Sequence, residues 1–408
     1  MIKRQKIKVR FVALQLLIAA CLALSAPLQA HAAANLGPAA KVSFTFDDGY
    51  SSSYTKAAPA LAQSGYTGTA YVTTDFVGLD EYYLTWQQMT KLKNDYGWEI
   101  GAHSVTHADL TEINATQLES ELANGKQTLA NHGFDAVSFA TPYGSYNNQV
   151  MAGVAKHYSS HRPFWDQQYS NDWAYNNYLL YVRQVQVGVS VDQVKAYIDE
   201  AKQNNAWLVL VFHDIADSPS QNPQDYEYAT ADLAQIAAYA QSQGLANTNI
   251  KDGFPTNTNL VSNSSFDGGL SDWSTDVPAN AVLNTAGRGS YPSPTNSVEI
   301  TSPVSGNAHL FSPKVAVDSS KTYLAKTFLN LESISGGEVF FYMDEYDADG
   351  NWISGQYKVG AGEAFVEMIS FSYQPSSANV KQASLQIGAT GGSGIRAFVD
   401  NVVLFSTN

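Results

Sequence analysis

One cysteine, Cys21, serves the whole 408-residue chain. A disulfide framework and a cysteine-built metal site are therefore both excluded. Charge is also scarce: Asp, Glu, Lys and Arg make up only 15% of residues, with 23 cations against 37 acids. The formal net charge of −14 repels a polyanion, so nucleic acid is not an expected partner. No convincing internal repeat is present, which argues against a solenoid. Beyond the N-terminus no apolar run is long enough to span a membrane. What is plentiful is apolar residues (44%) together with Tyr, Trp, Asn, Gln, Ser and Gly. The first supply a core. The others make contacts through hydrogen bonds and flat rings.

The one long apolar run belongs to a leader. Lys3, Arg4, Lys6, Lys8 and Arg10 precede FVALQLLIAACLALSAPLQAHAAANLG, the layout of a secretory signal. Ala30 and Ala32 form an A-x-A site, so cleavage is expected after Ala32, making residues 1–32 a signal peptide. Ile18–Cys21 also resembles a lipobox, and lipid attachment at Cys21 ranks second; a retained anchor ranks third. Cleavage removes five cations and no acids, which takes the net charge from −14 to −19. The expected location is secreted, periplasmic or on the cell surface, with no integral membrane span after cleavage.

From about Lys41 to Phe254, short apolar runs (VSFTF, GTAYVT, WEIGAH, VSFATP, LYVRQVQV, WLVLVF) alternate with amphipathic stretches such as ATQLESELANGKQTLANHG. In that stretch Leu118, Leu122 and Leu129 fall at helical spacing. The alternation predicts an α/β domain with a mainly parallel sheet or barrel. After residues 255–258 the helix signal disappears. KTYLAKTFLNL, EVFFYMDEY, FVEMISFSY, KQASLQIGA and RAFVDNVVLF predict an antiparallel β-sandwich over 259–408.

Four motifs fall at the ends of predicted strands: TFDDG (Thr45–Gly49), HSVTH (His103–His107), ATPYG (Ala140–Gly144) and VFHD (Val211–Asp214). In a parallel barrel such ends meet at one mouth. His103 and His107, at i and i+4, fall on one face of a helical turn and can hold one ion. Asp48 can complete a two-histidine, one-carboxylate set, with zinc the default metal. Asp47 is then free to act as a base, and His213 is the natural acid. The backbone N–H of Tyr143, after Pro142, can help hold an oxyanion.

These residues resemble the polysaccharide deacetylase family, also called carbohydrate esterase family 4 or the NodB-homology domain. That resemblance covers roughly residues 40–254 (domain bounds 38–254) and implies a distorted (β/α) barrel. It implies that Asp47 is the base, that Asp48, His103 and His107 bind metal, and that His213 is the acid. The third motif of the family carries an arginine that orients the base, and here Ala140 stands in its place. Arg162 and Arg183 are the candidates to supply that charge from another strand. An Asp-Trp segment that tunes the acid is matched in type by Asp172-Trp173, with Asp166 after Trp165 as a rival. The ring-rich segment Tyr158–Tyr181, with Trp165 and Trp173, is a candidate groove wall for sugar.

Residues 259–408 resemble, more loosely, carbohydrate-binding modules with a galactose-binding-like jelly roll. Asp400 and Ser265 are weak candidates for a structural Ca²⁺. Trp273, Trp352 and Tyr357 are candidates for a sugar platform. EYDADGN (Glu345–Asn351) suggests an EF-hand loop, but position 12 is Gln356 and β-runs flank it, so a hairpin turn is expected. Together these features predict a secreted hydrolase that removes acetyl groups from a polysaccharide, with N-acetyl on an amino sugar expected first. An acetylxylan esterase acting on O-acetyl groups is the alternative, followed by a non-catalytic carbohydrate-binding protein.

Overall fold

In a computed structural model, residues 40–164, 171, 176–222, 226–254, 258–286, 296–302, 307–390 and 394–407 are described. The leader with Cys21, most of the 255–258 linker, Trp165, Asp166, Asp172 and Trp173 lie outside the described residues.

The KVSFTF run is β1 (Lys41–Phe46), with five of its six residues buried. A strand this apolar on both faces needs neighbours on both edges. It has them in β2 (Gly68–Val72) and β7 (Trp207–Phe212), both parallel to it. Outward from β2 lie β3 (Glu99–Ala102), β4 (Ser138–Ala140) and β5 (Ser160–Arg162), and beyond β7 lies β6 (Arg183–Gln184). Two short strands, β8 (Asp214–Ala216) and β9 (Glu227–Ala229), pair with each other, and β10 (Ala246–Asn247) joins the start of β1. All ladders of this eight-stranded sheet are parallel, and β5 and β6 are not paired to each other, so the barrel is a half-barrel. The seam between them is occupied by residues 177–180. His161 N donates to Asn177 O at 2.9 Å and Leu180 N donates to His161 O at 3.2 Å.

The helices are α1 (Ala58–Ala62), α2 (Trp86–Tyr96), α3 (Ala115–Asn131), α4 (Asn148–His157), α5 (Val191–Asn204) and α6 (Thr230–Ser242), of which α3, α5 and α6 fall on amphipathic stretches of the sequence. Thr85 with Gln88, and Asn114 with Gln117, form reciprocal capping boxes that start α2 and α3. Leu118, Leu122 and Leu129 are buried on α3, as their spacing predicts. Among the described residues no helix is long and apolar enough to cross a membrane.

The C-terminal strands are β11 (Ser274–Thr275), β12 (Ala281–Asn284), β13 (Ser297–Thr301), β14 (Asn307–Phe311), β15 (Val315–Ala316) and β16 (Tyr323–Ser333). They continue as β17 (Glu338–Tyr346), β18 (Trp352–Ala361), β19 (Phe365–Tyr373), β20 (Gln382–Thr390) and β21 (Arg396–Ser406). They form two antiparallel sheets, in the orders β11-β14-β20-β17-β18 and β12-β13-β21-β16-β19. Val339, Phe341 and Ile387 of one share a core with Ala325, Leu329 and Val399 of the other. EYDADGN is the β17–β18 hairpin, as expected. Asp347 Oδ1 accepts from the N–H groups of Asp349 and Asn351, each at 2.9 Å.

Candidate active site

The end of β1 divides two adjacent carboxylates. Asp47 N donates to Phe212 O at 2.9 Å, which keeps Asp47 in line with the strand and buried. Asp48 turns out of line with φ 67°, and Gly49 follows at φ 76°. The two side chains therefore meet different partners. Asp48 Oδ1 lies 3.2 Å from His103 Nε2 and 3.0 Å from His107 Nε2. Ligand atoms of these three residues fall within 4.8 Å of one another, the one such group of three among the described residues. Burial alone would raise the Asp48 carboxyl, but hydrogen bonds from His103 and His107, with the His213 and His103 charges, hold it well below the usual carboxylate range.

HSVTH departs from its expected form. It is a loop after β3, and both Ser104 (φ 67°) and His107 (φ 64°) are left-handed, so no helical turn brings the histidines together. The loop is tied down from α3 instead. Glu121 Oε2 accepts from Val105 N at 2.8 Å and Thr106 N at 2.9 Å, and its Oε1 accepts from Thr106 Oγ1 at 2.8 Å. His103 Nδ1 donates to Ala140 O at 2.8 Å, which fixes the ring so that Nε2 points at Asp48. Tyr143, at φ 59°, adds a fourth left-handed non-glycine residue here, and its ring stands 4.7 Å from that of His107. Such backbone conformations gather at functional sites because the surrounding packing must enforce them.

Arg162 fills the gap left by Ala140. The two residues are register partners on β5 and β4, and the Arg162 guanidinium forms an ion pair with Asp47 Oδ1. It also lies over the Tyr71 ring at 4.4 Å, and its side chain is 1% exposed. Arg183 goes elsewhere: it bonds Glu200 at 3.1 Å and stacks on Tyr197. His213 closes the site, flanked by Phe164 and Tyr226 with ring centroids 5.0 Å from each. Burial lowers the His213 imidazole below its ordinary value; Asp48 and Asp47 pull it up, and Arg162 and His103 pull it down. Its Nδ1 is buried with no hydrogen-bond partner among the described residues.

Asp47, Asp48, His103, His107, Thr141, Tyr143, Phe164, His213 and Tyr226 line one cavity of about 130 Å³. Pro142 is buried. Thr141 falls within the ATPYG motif and Phe164 within the ring-rich segment, whereas Tyr226 and Glu121 carry no sequence signal for the site. Of the platform candidates, Trp273 is corrected to a core residue: it is 7% exposed, packs on Phe266 and donates Nε1–H to Asn263 O. Trp352 and Tyr357 are exposed on β18. Asp400 is buried with its carboxylate on Asn401 N, and Ser265 bonds Asp267.

Residues 35–159 match the family model described as polysaccharide deacetylase. The peptidoglycan-N-acetylmuramic acid deacetylase PdaA of Bacillus subtilis (strain 168) is 33% identical over 136 residues, which is 33% of this chain and 49% of that protein. A bifunctional xylanase/deacetylase of Pseudobutyrivibrio xylanivorans is 28% identical over 133 residues, 32% of this chain and 20% of that protein. This chain thus spans less than half the length of the curated relatives it matches. Among solved structures, a family 4 carbohydrate esterase from Streptomyces lividans in complex with acetate aligns at 21% identity with a TM-score of 0.36. It covers 51% of this chain and 91% of that one. A polysaccharide deacetylase domain, at low identity, is what these matches support.

Proposed function

We propose that this protein is a secreted, metal-dependent hydrolase that removes N-acetyl groups from an amino-sugar polymer. The observation that carries this reading is the division between the two carboxylates: Asp48 faces two imidazoles and Asp47 faces Arg162. The donor set fits a divalent metal, with zinc the default for two histidines and one carboxylate. When bound, such an ion acidifies a water and polarises the acetyl carbonyl. Asp48, His103 and His107 would hold it. Asp47, oriented by Arg162, accepts a proton from the attacking water. The water oxygen bonds the acetyl carbon, the C–N bond breaks, and His213 gives the departing nitrogen a proton. Acetate and a free amine leave. The cavity admits an acetyl group while the polymer stays outside. The amide preference draws on the peptidoglycan deacetylase relative, and the xylanase/deacetylase relative keeps O-acetyl ester hydrolysis as the second reading. The complete acidic and imidazole set, with Arg162 in place, disfavours a non-catalytic binding protein.

The antiparallel sheets are read as the carbohydrate-binding part, spanning 259–408. The outer face of β17 and β18 carries Trp352 and Tyr357. Beside them Phe340 and Tyr342 lie across glycines: a Cβ on Gly388 or Gly355 would fall 2.2 or 2.0 Å from their ring atoms. Flat rings of this kind suit the apolar faces of sugars.

Two variants separate the roles. Asp47→Asn is expected to abolish acetate release and keep the metal, whereas His103→Ala is expected to lose the metal. Equal metal content in both, measured by elemental analysis, would contradict the assignment.

A further inference from the structure

Residues 37–408 cluster as one unit, and among the described residues two contacts join the antiparallel sheets to the half-barrel domain. At one, Val366 of β19 lies beside Asn148, Gln149 and Ala152 of α4. At the other, Phe328 of β16 packs edge-on against Tyr178 with 5.5 Å between centroids, and Lys326 Nζ donates to Asn177 Oδ1 at 3.3 Å. This second contact falls on the seam of the half-barrel.

The seam is where the arginine is held. β5 has three residues and one strand neighbour, β4. Its other edge rests on the irregular segment 177–180 through the two backbone bonds already given. Tyr178 adds two more ties: its carbonyl accepts from His161 Nδ1 at 2.7 Å, and its hydroxyl donates to Tyr158 O at 2.8 Å. Arg162 is the next residue after His161, and its guanidinium is on Asp47. Phe328, Tyr178, His161 and Arg162 are each no more than 1% exposed. A close-packed interior transmits displacement instead of absorbing it. So short a strand takes its position from whatever covers it.

We propose that the C-terminal sheets position the active-site arginine. Phe328 holds Tyr178, Tyr178 holds β5 through His161, and β5 holds Arg162 on Asp47. Phe328 is thus a positioning residue, and these sheets set the rate of the chemical step as well as the affinity for polymer. The inference rests on the deacetylase reading above.

The test uses the full chain with Phe328→Ala, Phe328→Leu and, at the other contact, Val366→Ala. Amide hydrogen exchange at His161 and Leu180 is read beside kcat, KM and metal content. Phe328→Ala is expected to speed exchange at both amides by about tenfold. It is expected to lower kcat by about tenfold, with KM within about twofold and the metal retained. Phe328→Leu restores most of kcat, and Val366→Ala leaves kcat and those two amides as in wild type. Should Phe328→Ala fail to fold, Lys326→Ala carries the same expectation at about threefold, since it removes the bond to Asn177. Unchanged exchange at His161 and Leu180, a rise in KM at constant kcat, or an equal kcat loss in Val366→Ala would overturn the proposal. If the wild-type protein releases no acetate from any glycan, the deacetylase reading falls. The exchange result then still decides whether Phe328 braces β5.

Discussion

Asp48 keeps its charge against the cost of burial because two imidazoles donate to it, and Asp47 is ion-paired with Arg162. Removing one partner of a buried ion pair strands the other, at a cost of about 3–5 kcal/mol. Arg162→Ala should therefore lower unfolding stability by about that amount and suppress turnover while metal binding persists. Chemical denaturation with metal analysis checks both, and wild-type stability would remove Arg162 from its proposed role. The neighbouring His161 gives a pH signature. Burial, aided by the Arg162 charge, lowers its imidazole from 6.5 to about 3. Its Nδ1–H donates to Tyr178 O and its Nε2 accepts from Thr141 Oγ1 at 3.1 Å, so the folded state needs the neutral ring. Between pH 6.5 and about 3 the unfolded chain binds the extra proton, so stability rises with pH and is lost on acidification. His161→Gln, which keeps a donor and an acceptor without titrating, should flatten the acid slope of the unfolding free energy. An unchanged slope would show that His161 is not its source.

At the scale of elements, loops at the ends of β1, β3, β4 and β7 carry the candidate site residues, and α3 ties down the loop after β3. Glu121 on α3 receives three hydrogen bonds from the His103–His107 loop. Glu121→Ala should lower metal affinity by about 10–100-fold, the usual cost of losing outer-shell support, with little change in melting temperature. Metal titration against a competing chelator measures it. The loops were legible in the sequence because each carboxylate or histidine follows an apolar run, and a charge after such a run marks a strand end. The strand that carries Arg162 was not legible. Ser160, His161 and Arg162 form no apolar run, yet all three are buried, and the partners of His161 and Arg162 are tertiary ones with no trace in local sequence. β18 escaped for a related reason: WISGQYKVGA is a largely uncovered edge strand and lacks an apolar face. The i, i+4 spacing of the histidines pointed to the right pair through the wrong geometry. Left-handed residues at 104 and 107 bring the rings together instead of a helical turn.

The whole molecule combines a net charge of −14, two antiparallel sheets with exposed rings and a cavity of about 130 Å³ at the candidate site. The parallel half-barrel brings Asp47, Asp48, His103, His107 and His213 from three sequence regions to one cavity, and the antiparallel sheets cover its seam. The central claim is that this cavity is a metal-dependent deacetylation site. The most direct measurement is acetate released from an acetylated amino-sugar polymer by full-length protein, before chelation, after chelation, and after return of one equivalent of zinc. The account predicts release that disappears with the metal and returns with it. Full release from the metal-free protein would contradict it.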